Sequence, residues 1–129
     1  MEAQAANLLR AQAGYYALTG IWPFVDLRTF QMFTGPKASP WLVKTVGALV
    51  TVIGAALMSA QRAERVAPEI KLLSIGSAAA LSVIDTRYAL AGRISKAYLV
   101  DAAAQALVLV GWVRLARAGV SKAVFDFVP

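Results

Sequence analysis

Two carboxylates stand where an apolar chain has least use for them. Asp85 follows the run Leu81-Ser82-Val83-Ile84 and precedes Thr86, Arg87 and Tyr88. Asp101 follows Tyr98-Leu99-Val100, and Gln105 comes four residues later, on the same face of a helix. A pair of acids in such surroundings can act as general acid and base, hold a cation or carry a proton. A second polar stripe, Gln12, Tyr16, Thr19 and Asp26, recurs at spacings of four, three and seven. These residues predict a polar ligand-binding cluster of Asp26, Lys44, Asp85, Arg87, Tyr88, Asp101 and Gln105, with Arg28 nearby. Tyr15, Tyr16 and Trp22 would receive the apolar end of the bound molecule. The competing expectation is structural: Lys44 with Asp101, or Arg87 with Asp85, would form ion pairs that fix the helix register.

Other chemistry is excluded by what the chain lacks. It has neither cysteine nor histidine, which removes thiol redox chemistry, disulfides, iron–sulfur clusters, His-ligated haem and the usual zinc sites. The commonest general base goes with them. The serines have no histidine to activate them and none begins a Ser-x-x-Lys dyad. The glycines sit in apolar segments rather than in a phosphate-cradling loop. No catalytic residue, metal or cofactor is therefore expected, and the acids point to binding rather than to turnover.

The elements that must position these residues are apolar helices. Residues 11–25, 45–61, 72–84 and 102–113 are free of charge, and each grows to about 20 residues once a flanking charged residue is admitted. Of the 129 residues, 59% are hydrophobic and 16% charged, so too little polar material remains to wrap four such helices. Lipid is the better cover. The expectation is an all-α, polytopic membrane protein: one domain, a four-transmembrane-helix up-down bundle with helices at about 3–24, 41–60, 69–90 and 96–117. Pro23 falls in the last turn of the first helix. Leu27, Phe30 and Phe33 recur at helical spacing, so residues 26–33 read as a short amphipathic helix in the membrane interface. Thr34-Gly35-Pro36 reads as a turn and Ser39-Pro40 as a helix start. Gly92 ends the third helix, Ser95 caps the fourth, and a tail follows residue 117.

The thirteen basic residues, behind a net charge of +6, are scattered in ones and twos beside the apolar runs. That distribution suits anchoring to anionic headgroups and not nucleic acid. The start, MEAQAANLL, lacks a signal-peptide pattern, so the first segment is expected to stay. The termini and middle link carry Arg10, Arg62, Arg65, Lys71, Arg114, Arg117 and Lys122, seven in all. The remaining links carry Arg28, Lys37, Lys44, Arg87, Arg93 and Lys96, six in all, which turns the termini to the cytoplasm.

Small residues recur at spacings of four. Gly47, Thr51, Ala55 and Ser59 form one ridge. Gly76 and Ala80, with Ser74, Ala78 and Ser82, form another, and Ala102–Ala106 and Ala103–Leu107–Gly111 a third. Such ridges let helices approach closely in lipid, within the bundle or between copies, so a homo-oligomer or a membrane-complex partner is expected.

The run Arg10-Ala-Gln-Ala-Gly14 followed by Gly20, with Gly47 and Gly54 seven apart in the second helix, resembles the DoxX-like group of small bacterial four-helix membrane proteins. It covers about a third of the chain. The acid that this group often carries before the second glycine is replaced here by the apolar stretch 49–53. The resemblance implies the architecture, a multi-pass bacterial inner-membrane address and an accessory role. From the residues themselves the leading expectation is a non-enzymatic protein that binds a membrane lipid or small amphipathic molecule in a polar pocket at one membrane face. The alternatives are a small dimeric proton-coupled drug or ion transporter and a structural subunit of a membrane complex.

Overall fold

The computed structural model describes residues 3–34, 40–63 and 65–127, and among them every regular element is a helix. In chain order these are α1 (Ala3–Val25), α2 (Leu27–Thr34), α3 (Pro40–Ala60), α4 (Pro68–Leu90) and α5 (Tyr98–Phe127). The expected turn at residues 34–36 and the Ser39 helix start fall mostly outside the described residues. The tail expected after residue 117 is corrected: α5 continues as helix to Phe127. The segment contains Ala118, Lys122 and Ala123 and no proline, and its single Gly119 costs only about 1 kcal/mol against helix.

The ends of the helices follow local chemistry. Pro23 is tolerated near the end of α1, and the Asp26 amide donates to the Trp22 carbonyl at 2.9 Å to close the last turn. Asp26 then caps α2, its Oδ1 accepting from the Thr29 amide at 3.2 Å. The Trp22 indole donates to Thr29 Oγ1 at 2.9 Å and meets the Phe30 ring edge-on at 5.5 Å, which ties α2 to the end of α1. At the end of α4, Gly92 has φ +75°. The Arg93 amide donates back to Tyr88 and the Gly92 amide to Ala89, so the last carbonyls are satisfied by a Schellman turn that glycine permits. Ser95 Oγ accepts from the Ala97 amide at 3.1 Å and opens the approach to α5.

The four long helices form an antiparallel bundle. Gly20 packs on Gly47, Gly54 on Ala13, and Arg10 donates to Gln61, so α3 descends as α1 rises. α4 and α5 make the second tight pair, and sparser contacts of α1 with α5 and α3 with α4 close the ring. A Cβ on Gly47 would lie 2.5 Å from the Gly20 carbonyl oxygen, and one on Gly54 would lie 3.0 Å from that of Ala13. The expected ridge at spacing four is only partly turned inward. Gly47, Gly54 and Leu57 are buried whereas Ala55 and Ser59 are exposed. Steps of four overshoot a helical turn by about 40° each, so a contact of several turns must mix steps of three and four. On α4 the expected small residues divide by face: Ser74 and Ala78, four apart, are buried inside, Gly76 is half-buried and Ala80 is exposed.

The interior is unusually polar and the outside unusually apolar. Leu9, Ala13, Tyr16, Leu57 and Trp112 make the apolar core, but Gln12, Gln105 and Ser74 are among the largest fully buried side chains. Leu18, Val25, Leu72, Val100 and Leu107 are each 71–77% exposed. α3 (Pro40–Ala60) and the Tyr98–Gly119 part of α5 are long and apolar enough to cross a membrane.

Candidate functional site

Three helices meet along a line of polar side chains. α5 contributes Asp101, Gln105 and Trp112 at helical spacing, α1 contributes Gln12, Tyr15 and Tyr16, and α4 contributes Ser74, Ser77 and Asp85. From Asp101 to Trp112 the line runs roughly 16 Å along the α5 axis. Helix α3, the other partner of α1, places Gly54 and Leu57 beside it, with Val50 and Ile53 packed against the same core.

One chain of hydrogen bonds runs along this line from Trp112 to Asp101. The Trp112 indole donates to Ser74 Oγ at 2.7 Å, and Ser74 Oγ donates to Gln12 Oε1. The Gln12 amide group donates to the Tyr16 hydroxyl at 3.1 Å and to the Ser74 carbonyl at 3.0 Å. Tyr16 donates in turn to Gln105 Oε1 at 3.0 Å, with Ser77 Oγ 2.9 Å from the same hydroxyl. Gln105 Nε2 donates to Asp101 Oδ1 at 3.3 Å, and the Tyr15 hydroxyl donates to that same oxygen. Aligned donors of this kind polarise one another, and here they converge on one carboxylate.

Beside that carboxylate lies a second one. Asp85 is 6% exposed and is brought beside Asp101 by the pairing of α4 with α5, in which Ser82 Oγ, one turn before Asp85, donates to the carbonyl of Ala102 at 3.4 Å. Its Oδ2 is buried with no hydrogen-bond donor in reach among the described residues. Neither acid has a cationic partner there. The ion pairs Lys44–Asp101 and Arg87–Asp85 are not formed, and Lys44 and Arg87 are exposed.

Of the residues expected from sequence, the structure brings together Asp85, Asp101, Gln105 and Tyr16, and adds Tyr15 through its hydroxyl. Asp26 lies outside the cluster because α1 ends at Val25 and Asp26 caps the next helix. Trp22 belongs to the same α1–α2 junction. Tyr88, one turn past Asp85, is 41% exposed. Sequence reasoning missed Ser74, Ser77 and Trp112. Ser74 and Ser77 were legible as lying on the face of Asp85, eleven and eight residues before it, but in an Ala-rich helix they read as packing residues.

No group of three or more metal-ligating side chains occurs among the described residues. The site can offer a cation two carboxyl groups, one of them with an unpartnered oxygen, next to the ring of Tyr15. Comparisons of the chain with protein families, with curated proteins and with solved structures find no match in any of the three.

Proposed function

We propose that the chain is a multi-pass protein of the bacterial inner membrane and binds a small amphipathic molecule, its polar end at Asp85 and Asp101. The observation that carries this reading is the buried Asp85 carboxyl, which has an oxygen without a donor, faces a second acid and lacks a cation. A buried charge left in that state is costly, and such residues inside apolar bundles default to a functional role. Thr19, Tyr15 and Asp101 lie toward the end of the bundle where α4 turns into α5, so the head group would sit near one membrane face.

A four-span arrangement is supported by the distribution of side chains. Large apolar residues are exposed on all four long helices, as lipid would require, while glutamines and serines are inside. α1 and α4 are the less apolar helices, and they supply Gln12, Tyr15, Tyr16, Ser74, Ser77 and Asp85 to the interior. Of the residues behind the DoxX-like resemblance, Gly20, Gly47 and Gly54 lie in the close packing of α1 on α3, whereas a Cβ on Gly14 would meet nothing. Self-association would use the outward seam of α3, where Thr45, Ala48, Val52, Ala55 and Ser59 are not covered.

Native mass spectrometry after gentle extraction tests the reading. A stoichiometric adduct in the wild type, lost in a folded Asp101→Asn variant, is the expected result. An adduct retained by that variant would sink the pocket. A complex without adduct, together with misassembly of the Asp85 and Asp101 variants, would make the acids structural parts of a membrane-complex subunit. The second reading, proton-coupled transport by a dimer, is favoured by one observation, the adjacency of the two acids. It requires proton-linked flux that Asp101→Asn abolishes.

A further inference from the structure

The donors around the acid pair are mostly directed at it already. The hydroxyl of Tyr15 and the Nε2 of Gln105 both point at Asp101 Oδ1, and the hydroxyl of Tyr16 is committed to Gln105. A phosphate or carboxylate head group needs several free donors, and the described residues at this site leave it only the second N–H of the Gln105 amide. What the site lacks is the opposite: a donor or a positive charge for Asp85 Oδ2. The titratable groups that face the pair are Tyr15 and Tyr16 from α1, Asp85 from α4 and Asp101 from α5. Neither α2 nor α3 contributes one among the described residues, and Lys44, Arg87, Arg93 and Lys96 are exposed.

Two neighbouring carboxyl groups without a cation, one of them with a buried oxygen that lacks a donor, are satisfied when one proton lies between them. We infer that Asp85 and Asp101 hold one proton in common and give it up to water when a positively charged head group takes its place, so that the amphipathic molecule is a cation of the alkylammonium class. This rests on the binding reading above and names its ligand. The charges balance: the pair with its proton carries one negative charge. After a monovalent cation enters and the proton leaves to water at the nearby membrane face, the occupied site again carries one. Tyr15 adds an aromatic ring beside the pair, a surface to which an ammonium group is attracted. A hard divalent metal would want about six oxygen ligands, more than two carboxyls and a phenol supply.

The test uses the full chain in lipid nanodiscs, weakly buffered, with decyltrimethylammonium, decyl phosphate, decyl maltoside and sodium chloride as separate probes. Thermal unfolding reports binding and an indicator dye reports proton release. The expected result is stabilisation by decyltrimethylammonium with one proton released per molecule bound, and no release from an Asp85→Asn variant whose circular dichroism is native. Site-dependent stabilisation by decyl phosphate or decyl maltoside instead would overturn the cation inference and leave the amphiphile reading standing. Equal proton release by sodium alone would keep the cation and remove the amphiphile. Binding of the ammonium probe without proton release would refute the shared proton. Where Asp85→Asn does not fold, infrared spectroscopy of the wild type decides: a protonated-carboxyl band that vanishes on adding decyltrimethylammonium supports the inference, and its absence from the free protein overturns it.

Discussion

The hydroxyl of Tyr15 on α1 donates to Oδ1 of Asp101 on α5, the same carboxyl that faces Asp85 on α4. One phenol thus joins the first helix to the acid pair formed by the last two. Tyr15→Phe keeps the ring and deletes this bond. Polar contacts between helices in lipid average well under 2 kcal/mol, so a stability loss of about 1 kcal/mol is expected in micelles. The larger effect should fall on ligand affinity. A variant that loses several kcal/mol while binding normally would make Tyr15 a structural strut.

Tyr16 is the junction of the polar line, since its single oxygen meets Gln12, Ser77 and Gln105. Tyr16→Phe strips all three of a partner inside a fully buried site. Each orphaned buried group costs about 1–3 kcal/mol, so this variant should be the most destabilising single-atom deletion in the bundle. Ser74→Ala should come next, because it releases both the Trp112 indole and Gln12 Oε1. Equilibrium unfolding by SDS titration ranks them. A neutral Tyr16→Phe would mean that the line is not a connected network.

The glycines separate into those that hold the bundle and those that do not. A Cβ on Gly47 meets the Gly20 backbone, which cannot swing aside, so Gly47→Ala should push α1 from α3 at a cost of about 1–3 kcal/mol. A Cβ on Gly76 meets only Leu72 Cδ1 at 4.0 Å, so Gly76→Ala should be neutral or gain up to about 1 kcal/mol of helix propensity. Thermal unfolding of the two variants side by side gives the comparison, and equal effects would contradict the close approach of α1 and α3.

This difference between glycines marks where sequence patterns stop. Gly47 and Gly76 each begin a small-residue repeat, and only the packing partner tells which ridge is inside. The helix ends were more legible, because Gly92, Ser95 and Pro68 act within one turn of themselves. Half of the polar site was legible for a similar reason: Asp85, Asp101, Gln105, Gln12 and Tyr16 stand out from apolar surroundings without knowledge of any partner. Lys44 and Asp26 were assigned to the cluster by the height of helix ends alone. Height does not fix azimuth, and both turned outward. Trp112 could not be found, since an indole in an apolar run reads as core until a serine from another helix meets its nitrogen.

The number of spans is open to a direct chemical test because the chain has no cysteine. Arg62 lies in the link between α3 and α4 and Arg93 in the link between α4 and α5, and both are exposed. If α4 crosses the bilayer, Arg62→Cys and Arg93→Cys must react with a membrane-impermeant maleimide from opposite sides. If only α3 and α5 cross, α4 lies on one surface and both cysteines label from the same side. Antiparallel packing of α4 on α5 and the pairing of Asp85 with Asp101 argue for the first outcome. An α4 lying on the surface could not keep Ser74 on Trp112 and Asp85 on Asp101 along the length of a spanning α5. Labelling from one side would therefore remove the acid pair from the membrane and, with it, the binding site.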